Sequence, residues 1–573
     1  MKYLPPTRFM GLVWLLGLLP YSSAAQTWQW AVAPGNTPIS ASEVTAMVPD
    51  KDGTTVVAGY FSGTITLGRF TLTSSGPADV FVARLDNSGN WLQAVRAGSG
   101  NACLVSALLI EADGTVVVGG SFSGRAIDFG SFRLINADNF GNSEDVFVAR
   151  LNQAGTWVQA VRAGGNSIDG VMNMALDNQG NVVVGGKFAS AVASFGPFQL
   201  PNAYVGTGGF ASDDVFVARL NRSGAWVQAV RAGGPSHDYP TDLVMEPDGT
   251  FVVAGNFFSA VSSFGAIDLQ NTGQETDVFV ARLSPAGTWI AALRAGGPNY
   301  DSVSDIALAA DGSLVVAGSF NGPSTAIGSF TLLNTDNTGT YPDAYVARLD
   351  RAGTWTQAVR AGSPDSDAAI RIVPNADGSV TVAGYFTGRA SFGSFTPSSA
   401  GGNDIYVAQL SAAGQWTRFQ QAGGPGNDGV RGFYQKDSNN FTIAGYIGWP
   451  TAQFGTITLA NKHTLFSNAF VAHYSSSAVD PVDPPDSVFT TAAFTIPNII
   501  TPNGDKKNDV FRFSNAPVTD LALYIFNRWG QQVYTSTHYQ QDWDAAGLPT
   551  GMYYYYVVPA GGALVKGWLE VVR

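Results

Sequence analysis

Acidic and basic side chains recur along this 573-residue chain with a period of 61 to 69 residues. Asp79, Asp145, Asp214, Asp277, Asp343 and Asp404 open runs such as Asp145-Val146-Phe147-Val148-Ala149-Arg150-Leu151, and Asn468 takes their place in the last copy. Arg96, Arg162, Arg231, Arg294 and Arg360 stand in the segment that follows, across a turn. Folding that hairpin brings carboxylate and guanidinium onto neighbouring strands, so a cross-strand ion pair is expected in each copy. A second arginine recurs at 84, 150, 219, 282 and 348; both arginines disappear together in the sixth copy, to Gln409 and Gln421, and in the seventh, to His473 and Ala33. The joint loss predicts that the two form one structural unit. A catalytic group is needed once, so repetition points to scaffold.

A further aspartate recurs after a Gly-Gly or Gly-Ser corner: Asp169, Asp238, Asp301, Asp367 and Asp428. Aspartates placed there accept amide hydrogen bonds within the turn; a carboxylate rim binding cations or a basic partner is the alternative. His237, His463, His473 and His538 are scattered, and the chain holds no HExxH, GxSxG or Gly-rich phosphate loop. No catalytic or cofactor-binding residue is therefore expected, although two carboxylates for glycoside hydrolysis can converge from distant copies without a sequence signal. Cys103, the only cysteine, sits between apolar neighbours and reads as a small buried hydrophobe. Asn503, Asp505, Asn508 and Asp509 are dense in oxygen ligands: a self-capped turn is the expectation, a Ca²⁺ site the alternative.

These groups need strands to position them. A tryptophan recurs in one setting at Trp28, Trp91, Trp157, Trp226, Trp289, Trp355 and Trp416. Between tryptophans come an apolar stretch, an Asp-Gly-type turn, a β-rich run, an excursion containing Phe-Gly, and the Asp-opened run. Each copy therefore holds four short antiparallel strands, the content of a propeller blade. Trp28 has no partner strand before it, and the run ending at Tyr474 has none after it. An all-β, seven-bladed β-propeller over 26–475, closed by the N-terminal strand, leaves no edge unpaired. The repeat resembles bacterial propeller repeats that join an FVARLD..G.W segment to a D..G.VVV.G.F segment, which implies an exported protein and no particular activity.

Apolar residues make up 45% of the chain, charged residues 13%, and the formal net charge is −12. That balance, without a basic run, argues against a nucleic-acid partner. Lys2 and Arg8, the apolar run Met10 to Leu19, and the small residues before Gln26 read as a signal peptide over 1–25. No later stretch is long enough to span a bilayer as a helix. An acidic, Pro-rich linker is expected over 476–493.

Residues 494–573 form a separate module, expected to be a small β-sandwich. Its segments TPNGDKKNDVF, IFNRWG, PTGMYYY and the terminal KG…R resemble the type B C-terminal sorting domain of the type IX secretion system, the gliding-motility-associated domain of Bacteroidetes. The resemblance rests on Asn503, Gly504, Asp505, Asn527, Arg528, Trp529, Gly530, Gly551, Tyr553, Lys566 and Gly567; Ala545 departs from the glycine common in that family. It implies recognition by secretion machinery at the outer membrane, then delivery to the surface or the medium. The expected function is a secreted binding or adhesion scaffold for a surface polysaccharide or protein, its loops and Phe-Gly excursions presenting the contact surface. A polysaccharide-acting propeller enzyme and a purely structural surface component are the alternatives.

Overall fold

The structure, a computed structural model, describes residues 27–98, 100–138, 140–206, 211–273, 275–475, 496–497, 499–504, 508–513, 521–527, 532–559 and 565–572. The expected signal segment 1–25 and linker 476–493 lie outside the described residues. The chain divides into two compact units, residues 1–482 and 483–573.

In the first unit the strands gather into repeated four-stranded antiparallel sheets, the organisation of a β-propeller, and no helix occurs among the described residues. The third repeat shows the pattern: Asp169–Leu176, Val182–Phe188, Asp214–Leu220 and Trp226–Ala232, paired in that order. The second and third strands are buried along nearly their whole length, because neighbouring sheets cover both faces. That is why they read as continuous Val, Ala and Phe runs and not as alternating ones. In five copies the first two strands turn through an Asp-Gly pair: Gly114, for example, takes φ 83°, where a β-carbon is strained.

First strands of successive sheets contact one another, and Ala41–Pro49 also packs on Gly429–Asp437. Thr27–Val32 pairs antiparallel with Asn468–Ser475, completing a sheet with Asn440–Ile447 and Gly429–Asp437. It makes the contacts of an internal fourth strand. Trp28 packs edge-on against Phe454 at 5.2 Å, as Trp226 does against Phe195 at the same distance. Trp30 Nε1 donates to Asn87 O of the first repeat at 2.8 Å, just as Gln93, at the matching position, donates to Gln153 O of the second at 3.1 Å.

The Phe-Gly excursions are short hairpins such as Val192–Phe195 with Phe198–Pro201. Phe129, Phe195, Phe264, Phe392 and Phe454 are fully buried against the repeat tryptophans. Their rings anchor the outer strand from beneath. The same hairpins protect strand edges: Ser194 exchanges two backbone hydrogen bonds with Gly164, at the end of the preceding sheet.

In the second unit the described strands form one five-stranded sheet, in the order Ile499–Ile500, Val565–Val571, Gly551–Pro559, Leu521–Asn527, Gln532–Ser536. Irregular segments around Phe511, Phe513, Tyr539 and Trp543 supply the opposing layer and bury against Leu523, Ile525 and Tyr555. Three non-glycine residues of this unit, Asn508, Gln541 and Ala545, have positive φ, a backbone that does not continue a strand.

Candidate functional site

The recurring charges make two separate sets of ion pairs. Arg162, Arg231, Arg294 and Arg360 reach Asp145, Asp214, Asp277 and Asp343 at 2.7, 3.0, 2.9 and 2.9 Å, and Arg96 contacts Asp79 likewise. Register places Arg162 opposite Phe147, so the pair is diagonal across the two strands. In the sixth repeat Gln421 Nε2 donates to Asp404 at 2.6 Å. In the seventh, where alanine replaces the arginine, aspartate becomes the uncharged Asn468. The second arginine serves the opposite end of the sheet. Arg150 pairs with Glu111 at 3.0 Å, Arg219 with Asp177 at 3.2 Å and Arg282 with Glu246 at 3.2 Å, at the corner between first and second strands; Arg84 contacts Asp50 there. The two arginines thus share no partner, and the single unit expected from their joint loss is two.

The second aspartate set caps turns as expected. Gly165 N donates to Asp169 at 2.6 Å, Gly297 N to Asp301 at 2.6 Å, Ser363 N to Asp367 at 2.6 Å and Gly424 N to Asp428 at 2.7 Å. Asp238 accepts Ser259 N and Oγ at 3.1 and 2.8 Å. All five carboxyls are buried. Burial pushes Asp169, Asp301 and Asp428 up to about 7 and Asp367 up to about 8, against the pull of these donors.

Where the scaffold repeats, function has no foothold; chemistry unique to one place appears at two positions of the inner strand pair. The residue after the first-strand bulge is Ala46, Ala107, Asn173, Asp242, Asp305, Arg371 and Gly432 in repeats one to seven. Asn173 donates to Asp242, Asp242 shares a hydrogen bond with Asp305, and Arg371 approaches Asp305 at 3.9 Å. The bulge leaves backbone amides outside the ladder, and these carboxylates take them from the next sheet: Ile306 N donates to Asp242 at 2.9 Å and Ile372 N to Asp305 at 2.7 Å. Burial and the neighbouring carboxylate raise Asp305 well above its ordinary value while Arg371 opposes them, and Asp242 is raised by burial too.

The second variable position lies near the end of the second strand: Tyr60, Ser121, Lys187, Asn256, Ser319, Tyr385 and Tyr446. On one side Tyr60 donates to Glu43 at 2.8 Å, Arg431 Nε donates to Glu43 at 2.8 Å, and the Arg431 guanidinium lies 5.3 Å from the Tyr446 ring centre. On the other Lys187 pairs with Asp213 at 3.1 Å, His237 meets the same carboxylate at 3.1 Å, and Tyr239 hydrogen-bonds Tyr300. The Arg431 side chain is 45% exposed and Glu43 10%, a held charge pair with one face open. This tyrosine-rich mouth had no motif; aligning the repeats and asking which position changes class would have found it.

In the second unit Asp509 Oδ1 accepts the amides of Asn503 and Gly504, both at 2.9 Å, the self-capped turn; Asn508 holds φ 54° beside it. Among the described residues no group of three or more His, Cys, Asp or Glu is placed to hold a metal. Asn527 pairs with Tyr553, whose hydroxyl donates to Pro549 O at 2.7 Å, and both line a cleft with Val533, Leu548 and Gly551. Gly567 lies under Tyr555, whose hydroxyl would sit 2.4 Å from a β-carbon there. Lys566 pairs with Tyr556 in the sheet. Asp505, Arg528, Trp529 and Gly530 lie outside the described residues. Ala545 is buried at φ 56°, the conformation that favours the glycine common there.

Known proteins resemble the two units differently. An uncharacterized WD repeat-containing protein of Acanthamoeba polyphaga mimivirus is 20% identical over 436 residues, 62% of this chain and 31% of that protein. The regulatory protein FlaEY of Caulobacter vibrioides is 27% identical over 218 residues, 35% of this chain and 22% of that one. The chain therefore spans about a third or less of these relatives. Among solved structures, a Dyadobacter fermentans protein of unknown function is 12% identical with TM-score 0.36, covering 79% of this chain and 99% of its own. YCF48 bound to D1 peptide is 11% identical with TM-score 0.35, covering 79% and 96%. Residues 494–571 match the CHU_C Type IX secretion signal domain. The C-terminal unit, bearing the capped Asn503-Gly504 turn and the Asn527–Tyr553 strand pair, is a type IX secretion signal domain.

Proposed function

We propose that this protein is an exported binding scaffold: a seven-bladed β-propeller closed by its N-terminal strand, carried by its C-terminal domain through the type IX machinery to the cell surface or the medium. The signal-domain match carries the export reading. Closure is supported by Trp28 and Trp30, which repeat contacts made by four internal fourth strands each. The binding reading rests on the tyrosine-rich mouth around Glu43, Tyr60, Arg431 and Tyr446, where side chains depart from the repeat and the Arg431 side chain stays 45% exposed. Partly exposed aromatic rings beside a fixed charge pair suit the ring faces and hydroxyls of a saccharide. Asp242 and Asp305 converge from two repeats, yet they share a hydrogen bond and cap backbone amides. Glycoside hydrolysis needs carboxyls about 5 to 9 Å apart, so the dyad favours scaffold over catalysis.

Two experiments test this reading. Deleting residues 494–573 is expected to leave the protein in the periplasm, and unchanged surface delivery would refute the export assignment. A surface-polysaccharide binding screen of the mature chain, with turnover measured in parallel, is expected to give saturable binding without product, lost in Tyr446→Ala and Arg431→Ala. Product formation, or binding indifferent to both changes, overturns the scaffold and its site.

A further inference from the structure

The two buried aspartate families meet. At each contact between successive sheets, the aspartate opening a third strand faces the residue opening the next first strand. A β-carbon at Gly164 would lie 2.7 Å from Asp145 Oδ1 and 2.8 Å from Asp169 Oδ2; at Gly296, 2.3 Å from Asp277 Oδ1 and 3.0 Å from Asp301 Oδ2; at Gly362, 2.2 Å from Asp343 Oδ1 and 3.1 Å from Asp367 Oδ2. Both carboxyls crowd the space that only a glycine leaves. Asp214 with Asp238, and Asp404 with Asp428, stand in the same places of their repeats, Asp238 N and Asp428 N donating at 2.8 Å to the carbonyls of Asp213 and Asn403, and bring the pairs to five.

These pairs are short of a hydrogen. Asp145, Asp214, Asp343 and Asp404 each bind through Oδ2 to an arginine or glutamine and a backbone amide, while Oδ1 is buried without a partner. In the remaining pair Asp277 Oδ1 has only a 3.4 Å bond from Thr272, and Asp301 Oδ1 has none. A buried carboxylate oxygen left without a donor pays its desolvation with nothing in return. The contact between the last and first repeats shows what belongs there: Ser42 stands in the matching position and its hydroxyl donates to Asn468 Oδ1 at 2.9 Å. At Cys103 the need does not arise, because Ser75 Oγ meets Asp79 Oδ1 at 3.2 Å and the buried thiol turns to Asn101 O. Serine brings an O–H group; aspartate brings one only when protonated.

We propose that each of the five aspartate pairs holds one shared proton at neutral pH, a carboxyl–carboxylate hydrogen bond that ties successive blades together. In four pairs the facing groups fit a net charge near zero, since one guanidinium, from Arg162, Arg231, Arg294 or Arg360, offsets the remaining carboxylate; in the fifth the neutral Gln421 donates to a pair that keeps one negative charge. Ser190, Ser259 and Ser363 hydroxyls donate to three of the first-strand carboxyls, and the nearby phenols are Tyr345, Tyr385, Tyr406 and Tyr446. Asp138 adds a distant negative charge near Asp145. In the pair of Asp214 and Asp238 burial raises both members, Asp214 the more, the same proton seen from its other side.

The sign follows from linkage. A carboxyl whose folded value is raised stabilises fully below its unfolded value near 3.8 and loses that contribution as pH climbs through about 7 to 8. The test titrates the mature full chain, wild type against Asp169→Asn, Asp301→Asn and Asp367→Asn singly and combined, native and in urea. An asparagine amide donates the same hydrogen bond without a proton. Each change is expected to remove one native-state proton at pH 5.5, to leave the urea-unfolded count lower by far less than one, and to flatten the fall of Tm between pH 5 and 9. Native proton counts that match the unfolded chain, or a Tm that chelator lowers and divalent cation restores, overturn the proposal.

Discussion

Replacing Trp28 by alanine tests whether the N-terminal strand truly completes the last sheet. Trp28 is 7% exposed and lies edge-on to Phe454, Tyr474 and Phe441 at 5.2, 5.5 and 5.8 Å. Its β-carbon side also covers Gly455, as Trp157 covers Gly130. Removing a buried tryptophan costs about 3–5 kcal/mol in lost transfer energy and residual cavity. The internal comparison is Trp226→Ala, 5% exposed and packed on Phe195 in the same way. Urea unfolding of the mature chain by far-UV circular dichroism should give similar midpoint losses for the two variants at unchanged slope. In addition, Trp28→Ala alone should make Asn468–Ser475 cleavable by protease, because that strand loses its outer neighbour. A Trp28→Ala midpoint within error of wild type, beside a full loss for Trp226→Ala, would refute the closure argument.

Other outcomes follow from single contacts. Arg150 and Glu111 form an ion pair whose side chains are only 5% and 4% exposed, so Arg150→Met or Glu111→Leu alone should cost about 3–5 kcal/mol and the double variant much less; a double-mutant cycle measures the difference. Cys103 should resist a thiol reagent in the native protein and react once in urea, since its thiol is buried and raised to about 12; fast native labelling would contradict the burial. Asp509→Ala should lower the stability of the C-terminal unit by about 1–2 kcal/mol through two lost amide bonds, and Ca²⁺ should not shift the wild-type melting curve.

The repeating part of this fold was legible because each needed group recurs. Four strands per copy follow from the alternation of apolar runs and Asp-Gly turns, and the Asp145–Arg162 ion pair follows from one hairpin. The Phe-Gly excursion was legible as an insertion but not as an anchor. Nothing local tells Phe264 that it will lie 5.2 Å from Trp289 under its own blade's outer strand. The separation of the two arginines failed for a similar reason. Their loss from the same copies looked like coupling, whereas Arg150 and Arg162 sit at opposite ends of antiparallel strands with different acids.

What sequence reading missed altogether depends on contacts between copies. Asp242 and Asp305 are 63 residues apart and become partners only because successive first strands lie side by side. Glu43 and Arg431 come from the two ends of the repeat array and meet at 2.8 Å only where first and last sheets touch. In an array of near-identical copies the scaffold fixes every side chain that all copies need. A position that changes chemical class from copy to copy has been released from that demand, and whatever selects its residues acts at a place the repeat does not define. The first-strand corner answers to the scaffold: five copies keep an aspartate there and the other two hold Ser42 and Cys103, small groups buried in the same place. The second-strand position varies among tyrosine, lysine, asparagine and serine, each tied to a different neighbour, so its residues are set copy by copy and not by the repeat.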